Sequence, residues 1–274
     1  DYNIKDVYLV DKIDEKMDLI TLALTMAYRG GVNYDATLGT TAIWDSIIHR
    51  ELNQQKIAVP PKEDTRKTPY PGGYVKDPHV GGHDWVVSFD LNSLYPNLIV
   101  QYNMSPETLI VDPDDMHQGG VDHYMNNAPK IRNDVSIAAN GATFAKDRQG
   151  ILPKLIDDYM SDRKIAKNGM LAAIQKQQTD SSDAVAREIN QFENRQMAIK
   201  ILLNSLYGAI GNQHFRYFDQ RVAEGITLSG QLAIQWAERA INKEMNKILK
   251  KKDIDYVLAI DTDSLYINFG PLVN

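Results

Sequence analysis

The sequence predicts an α+β fold in which a few antiparallel strands are interrupted by a long helical hairpin. Three observations point there. Two helical patterns, about 151–178 and about 183–208, are separated only by the polar "QQTDSSD", so an antiparallel helical hairpin is the economical reading. "DWVVSFDL" reads as a strand. "YVLAI" and "LYINF" read as the two strands of a hairpin closed by "DTDS".

In chain order, "DEKMDLITLALTMAYRGG" predicts a helix with Asp14 as N-cap and Gly30-Gly31 as its stop. "TTAIWDSIIHREL" follows, with Ile43, Trp44, Ile47, Ile48 and Leu52 on one helical stripe. Residues 54–83 turn polar and rich in Pro and Gly, a linker pattern. After the strand, "NSLYPNLIVQYNM" continues into a turn or short helix, with Pro96 in the first turn where its missing N–H is tolerated. Residues 111–150 read as loop. A last helix is expected over about 221–250.

The chain of 274 residues has room for two domains, or for one with an insertion. No stretch approaches the roughly 18 apolar residues of a membrane span, and no secretory signal pattern opens it. With no Cys, disulfides and thiolate metal sites are excluded, which fits a cytoplasmic setting. A net charge of −6 argues against nucleic-acid binding through the whole surface but leaves a local basic groove open. The chain begins with Asp1, as a processed product or a fragment would.

Asp261 and Asp263 lie one residue apart between two apolar runs, where an unpaired buried carboxylate is costly. In a strand or at a hairpin tip, both sit at one end. Oxygen donors without Cys favour Mg²⁺ or Mn²⁺ over Zn²⁺. Alone, Asp-Thr-Asp-Ser also reads as turn chemistry, since Asp and Ser favour turns. A calcium loop is excluded: "DTDSLYINFGPL" lacks a Gly at loop position 6 and a Glu at position 12. Asp90 ends the apolar run "VVSFD". Two strands ending together would hold Asp90, Asp261 and Asp263 over one point, enough for two ions roughly 3.5–4 Å apart.

The helical hairpin supplies cations. Arg163 and Lys167 are four apart, and Lys200, Asn204, Tyr207 and Gly208 share one helical face. Between residues 163 and 208 there are seven Lys or Arg against four Asp or Glu, a mildly basic hairpin in an acidic chain. Such a face suits a triphosphate, with an aromatic left for a base; it also suits an ordinary solvated helix. Gly208 within a helix interior, at about 1 kcal/mol against Ala, implies a close approach or a helix end.

With these residues in place, the chain resembles the family B (α-like) DNA polymerases, most of all the replicative enzymes of tailed bacteriophages. "FDLNSLYPNL" resembles motif A, "KILLNSLYG" motif B and "DTDS" motif C. "YNIKD" is similar to the third exonuclease motif, giving Tyr2 and Asp6, and "YPGGYV" to the template-contacting segment, giving Gly72 and Gly73. The resemblance implies that Asp90, Asp263 and the Leu91 carbonyl hold two Mg²⁺ (or Mn²⁺) ions, with Asp261 beside them in a weaker or indirect catalytic role. It implies dNTP binding by Ser93, Leu94, Tyr95, Arg163, Lys167, Lys200 and Asn204, with Tyr95 under the sugar. Tyr207 and Gly208 would line the nascent base pair. Asn97 stands where the family has Ser, and Ile260 where it has Gly.

The same resemblance implies an antiparallel palm sheet with an inserted fingers hairpin, the thumb and most of the exonuclease domain missing. Residues 1–21 would be an exonuclease remnant and 22–64 a helical segment and linker from the N-terminal domain. Residues 65–150 would be the first part of the palm, 151–211 the fingers, and 212–274 the second part of the palm. The implied activity is DNA-directed DNA polymerisation, needing a thumb-bearing partner or missing sequence for full effect. Implied partners are primer-template DNA, dNTPs, a complementary polymerase fragment, a sliding clamp and other replisome proteins, in the cytoplasm (the host's, if phage-encoded). The alternative is a non-catalytic or truncated fragment that acts as an assembly or DNA-binding module. A metal-dependent nuclease would need acidic partners for Asp6 that this chain lacks.

Overall fold

Helical periodicity shapes most of the chain. The structure, a computed structural model, describes residues 2–63, 66–110, 119–128 and 133–273. The expected boundary at 64/65 lies outside the described residues, as does part of the 111–150 loop reading. The elements are α1 (Tyr2–Met17), α2 (Leu19–Gly30), α3 (Thr40–Gln54), β1 (Val75–Lys76), β2 (Val86–Asp90) and α4 (Leu94–Tyr102). Then come β3 (Leu109–Ile110), α5 (Val121–Asn126), β4 (Val135–Ile137), β5 (Thr143–Ala145), α6 (Ile151–Gln177) and α7 (Asp183–Ile210). The chain ends with α8 (Gln220–Ile248), β6 (Val257–Asp261), β7 (Ser264–Asn268) and α9 (Gly270–Val273). Among the described residues, no helix is long and apolar enough to cross a membrane. The chain divides into two compact units, Asp1–Thr65 with Leu155–Tyr217, and Arg66–Lys154 with Phe218–Asn274.

In the first unit, α2 and α3 lie against α7. The α3 stripe is buried as its spacing predicts, with Trp44 wholly enclosed. The Trp44 indole N–H donates to the Leu202 carbonyl and the Ser205 hydroxyl, both at 3.2 Å, so α3 is keyed to α7 by polar geometry as well as area. Arg29 pairs with Asp162 at 2.5 Å and lies over the Tyr159 ring at 5.1 Å. Helices α6 and α7 run antiparallel: a Cβ on Gly169 would come within 2.6 Å of the Phe192 ring, and Lys176 pairs with Glu188 at 3.4 Å. The helices before residue 65 thus belong to the same unit as the hairpin.

The first helix departs from expectation. It begins at Tyr2, and the chain breaks at Asp18, which takes a left-handed φ of 49°. Asp14 does cap, but its carboxylate accepts from the Ile20 N–H of the next helix at 3.1 Å. Gly31 at φ 66° stops α2, its N–H bonding back to Ala27 and Tyr28.

In the second unit a four-stranded antiparallel sheet has the order β1-β6-β7-β2. Its buried cluster is Ile234 from α8 with Val257, Ile260, Leu265 and Ile267. Every β2 residue is exposed, Val86, Val87 and Phe89 included, although the Phe89 ring still meets Phe269 at 6.5 Å.

The region expected as loop, 111–150, holds α5, β4 and β5, and with β3 just before it the two strands form a second sheet, order β3-β5-β4. Its strands are two or three residues long, too short for alternation to register. Phe144 and Thr143 are nevertheless buried. The missed signal was Asn140-Gly141: the Gly141 N–H bonds the Ala138 carbonyl at 2.9 Å and Gly141 takes φ 89°, closing the β4–β5 hairpin.

Asn103, itself left-handed at φ 57°, ties α4 to the segment between β5 and α6. Its amide donates to the Ala145 and Arg148 carbonyls at 2.6 and 2.8 Å, and its carbonyl oxygen accepts from the Gly150 N–H at 2.8 Å. Asn103→Ala is expected to cost about 2 kcal/mol in a urea melt, from three lost hydrogen bonds, of which only that to the Gly150 N–H is buried, and a left-handed Ala.

Candidate active site

Strand pairing brings the carboxylates to one end of the sheet. Asp90 is opposite Ser264 across β2–β7, and Asp261 is opposite Ser264 across β6–β7. Asp263 sits in the two-residue turn between β6 and β7. The Leu91 N–H donates to the Asp263 carbonyl at 2.8 Å, which locks motif A to the turn.

The three groups do not form one compact cluster. Among the described residues, no three His, Cys, Asp or Glu side chains are grouped to hold a metal ion. The register gives the reason. Asp90 and Asp261 flank Ser264 on either side, two strand spacings apart, roughly 10 Å at the backbone. This corrects the expectation of three carboxylates over one point. Asp261 also accepts from the Thr262 hydroxyl at 3.1 Å.

Asp263 feels both neighbours. Burial first, then the negative charge of Asp90 and more weakly that of Asp261, raise its pKa above the ordinary value. None of the charges acting on it is positive. An oxygen-only pair, Asp90 and Asp263 with the Leu91 carbonyl alongside, therefore fits a hard divalent cation. Because the folded-state pKa is raised, stability gained on protonation is lost as pH rises through that raised value. At neutral pH the carboxylate works against folding. Asp263→Asn is expected to raise the melting temperature at pH 7 in metal-free buffer, with the gain shrinking as pH falls.

The turn itself is strained. Thr262 has φ 55°, unusual for a β-branched residue, and the Asp263 N–H bonds the Asp261 carbonyl at 2.6 Å across it. The segment expected as a linker braces this turn. Val75 pairs with Asp261, and the Thr262 N–H donates to the Tyr74 carbonyl at 2.8 Å. Gly73 lies so close that a Cβ there would be 2.5 Å from the Thr262 hydroxyl oxygen, whereas Gly72 faces open space.

Ser93 takes φ 54° to start α4, where Leu94 is buried and Tyr95 half-buried. Burial, then the Asp263 charge, raise the Tyr95 pKa. The ring rests on Gly230 of α8, where a Cβ would come within 2.9 Å. Sequence reasoning missed Gly230, although an isolated Gly inside a helical pattern was a signal. Both departures from the motif wording are accommodated. The Asn97 amide donates to the Asn92 carbonyl at 2.9 Å, and Ile260, 1% exposed, points into the core away from the carboxylate end.

The other predicted residues lie in the first unit. Lys200, Asn204 and Gly208 are exposed on α7, with Tyr207 half-exposed, while Ile199, Leu202, Leu203 and Leu206 fill the opposite face. Among the described residues nothing lies within 4 Å of a Cβ on Gly208, so internal packing does not account for it; it stands in the last turn of α7, which ends at Ile210. Lys167 is exposed on α6, and the buried Arg163 Nε has no hydrogen-bond partner among the described residues. Tyr2 and Asp6 lie on α1, which buries nothing.

The profile of DNA polymerase family B matches residues 38–272. Over 319 aligned residues the chain is 34% identical to the DNA-directed DNA polymerase of Escherichia phage RB69, covering 100% of this chain and 35% of that protein. For the DNA-directed DNA polymerase of Enterobacteria phage T4 the identity is 33%, over 97% of this chain and 34% of that protein. The DNA polymerase of Thermococcus gorgonarius is 31% identical over 75% of this chain and 24% of its own length. The chain spans about a third of the length of the phage relatives it matches. The stretch matched by the profile runs through Asp90, Lys200 and Asp263, and the chain belongs to DNA polymerase family B.

Proposed function

We propose that this chain carries the nucleotidyl-transfer site of a template-directed DNA polymerase. In the reaction, a primer 3′-oxygen attacks the α-phosphorus of a dNTP, its proton is lost, and the bond to the leaving pyrophosphate breaks. Asp90, Asp263 and the Leu91 carbonyl would hold two Mg²⁺ ions, with Mn²⁺ an equivalent. Bound there, the ions would make the 3′-hydroxyl more acidic and offset charge on the leaving group.

The chain's own groups do the rest. Arg163, Lys167 and Lys200 would bind the triphosphate, with Asn204 nearby. Tyr95, fixed against Gly230, would lie under the sugar and exclude a 2′-hydroxyl, with Ser93 and Leu94 shaping that turn. Tyr207 and the bare surface at Gly208 would accept the new base pair. Gly72 and Gly73 would let the template backbone approach. Residues 65–150 and 212–274 would act as palm and 151–211 as fingers.

The observation that supports this reading most is the Leu91–Asp263 bond, which ties motif A to motif C. The test combines this chain with the segment C-terminal to the matched part in its relatives. Primer extension that requires Mg²⁺ is the expected result. DNA binding without incorporation, with or without Mg²⁺, would favour a non-catalytic assembly module.

A further inference from the structure

The far end of α8 carries a feature that the nucleotidyl-transfer reading does not use. A cavity of about 600 Å³ opens where α8 meets the loop 249–256, and five cations line it: Arg239, Lys243, Lys247, Lys251 and Lys252. All five are exposed. Residues 239–255 hold six Lys or Arg against three Asp or Glu, in a chain of net charge −6.

The floor of this cavity is built. Asn246 donates from its amide to the Ile254 carbonyl at 2.7 Å and accepts from the Ile254 N–H at 3.2 Å. Asn242 accepts from the Tyr256 N–H at 2.8 Å and donates to Asp255 at 2.8 Å. The Lys251 N–H bonds the Asn246 carbonyl at 2.9 Å, fixing the chain as it leaves the helix. The two asparagines are thus spent on holding the loop. Of the three acids in this stretch, Asp255 pairs with Lys76 and Glu244 with Lys247 at 3.4 Å, while Asp253 lines the cavity beside the cations. Among the described residues, the ammonium groups of Lys243, Lys251 and Lys252 make no ion pair.

Compensation of the helix dipole accounts for little of this. That effect fades beyond the last turn, whereas Arg239 and Lys243 lie further back and Lys251 and Lys252 lie past the end. Arg239, Lys243 and Lys247 repeat every four residues, so they form a stripe with about 6 Å between successive cations. Alternate phosphates on one nucleic-acid strand recur at about 6.8 Å of axial rise. No aromatic side chain lines the cavity on which a base could stack. The acidic tip is at the opposite end of β6, about 13 Å along the strand from Val257.

We propose that this cavity is a separate, sequence-independent site for the phosphate backbone of a nucleic-acid strand. It stands on its own residues and does not depend on the polymerase reading. The test is fluorescence anisotropy of the chain with a labelled 20-nucleotide single strand of mixed sequence, from 20 to 200 mM NaCl. The variant is K243Q/K247Q/K251Q/K252Q; its melting temperature, read by circular dichroism, stays unchanged because all four positions are exposed. Its slope of log K against log salt is expected to be shallower by about 3, at about 0.7 per phosphate contact. Changing Lys5, Lys16, Lys56 and Lys62 to Gln instead shifts the slope by less than about 1. An unchanged slope in the first variant would overturn the proposal, as would an equal change in the control or no binding at 20 mM NaCl. Displacement of the strand by polyglutamate but not by tripolyphosphate would reassign the cavity to an acidic protein. Tripolyphosphate binding as tightly as the strand would reduce it to a small-anion site.

Discussion

Asp263→Ala is expected to lower nucleotide incorporation by on the order of 10³-fold at saturating dNTP, with Asp90→Ala close to it. Asp90 ends β2 and Asp263 immediately precedes β7, and the two strands are locked together by five consecutive pairs, so the backbone holds when either side chain is cut. The loss should therefore fall on the rate, with little change in DNA affinity. Because the two act as one ligand pair, the double variant should lose scarcely more than either single variant. Asp261→Ala should lose about tenfold or less: it stands two strands from Asp90 and bonds Thr262.

The second large effect is expected at a residue without reactive chemistry. A Cβ at Gly73 would lie 2.5 Å from the Thr262 hydroxyl oxygen and 2.9 Å from its methyl carbon. Thr262 cannot yield freely, because its N–H is bonded to Tyr74 and its φ is already 55°. The clash must move the turn that carries Asp263. Gly73→Ala should cost about 1–3 kcal/mol in stability, and roughly 10²-fold in incorporation if the turn shifts by about 1 Å. Gly72→Ala, with nothing within 4 Å of its Cβ, should leave stability unchanged. Removing the offending atoms with Thr262→Gly in the Gly73→Ala background should restore much of the rate, a coupling that a double-mutant cycle reads directly.

These two sites differ in how far the sequence discloses them. Asp90 and Asp263 are legible because an acid at the end of an apolar strand is anomalous within a few residues of chain. The helical hairpin is legible for a similar reason, since its periodicity persists over two stretches of more than 25 residues. Gly73 is not legible as a brace, because its partner lies 189 positions away and β1 is only two residues long. The same limit hid β3, β4 and β5, where Asn140-Gly141 alone spoke for a hairpin. The wide spacing of Asp90 and Asp261 was hidden too, since two strands ending together do not disclose that a third residue, Ser264, stands between them. Gly230 was visible as an oddity within α8, but only the fold shows that Tyr95 rests on it.

A direct measurement of divalent-ion uptake bears hardest on the account. Titrating the chain with Mn²⁺ and following the free-ion signal by electron paramagnetic resonance should show binding that D90N/D263N weakens at least about tenfold. Asp14→Asn, which removes a carboxylate outside the proposed ligand set, should leave that binding unchanged. Equal uptake by the unaltered chain and by D90N/D263N would contradict the assignment of Asp90 and Asp263 as the ligand pair.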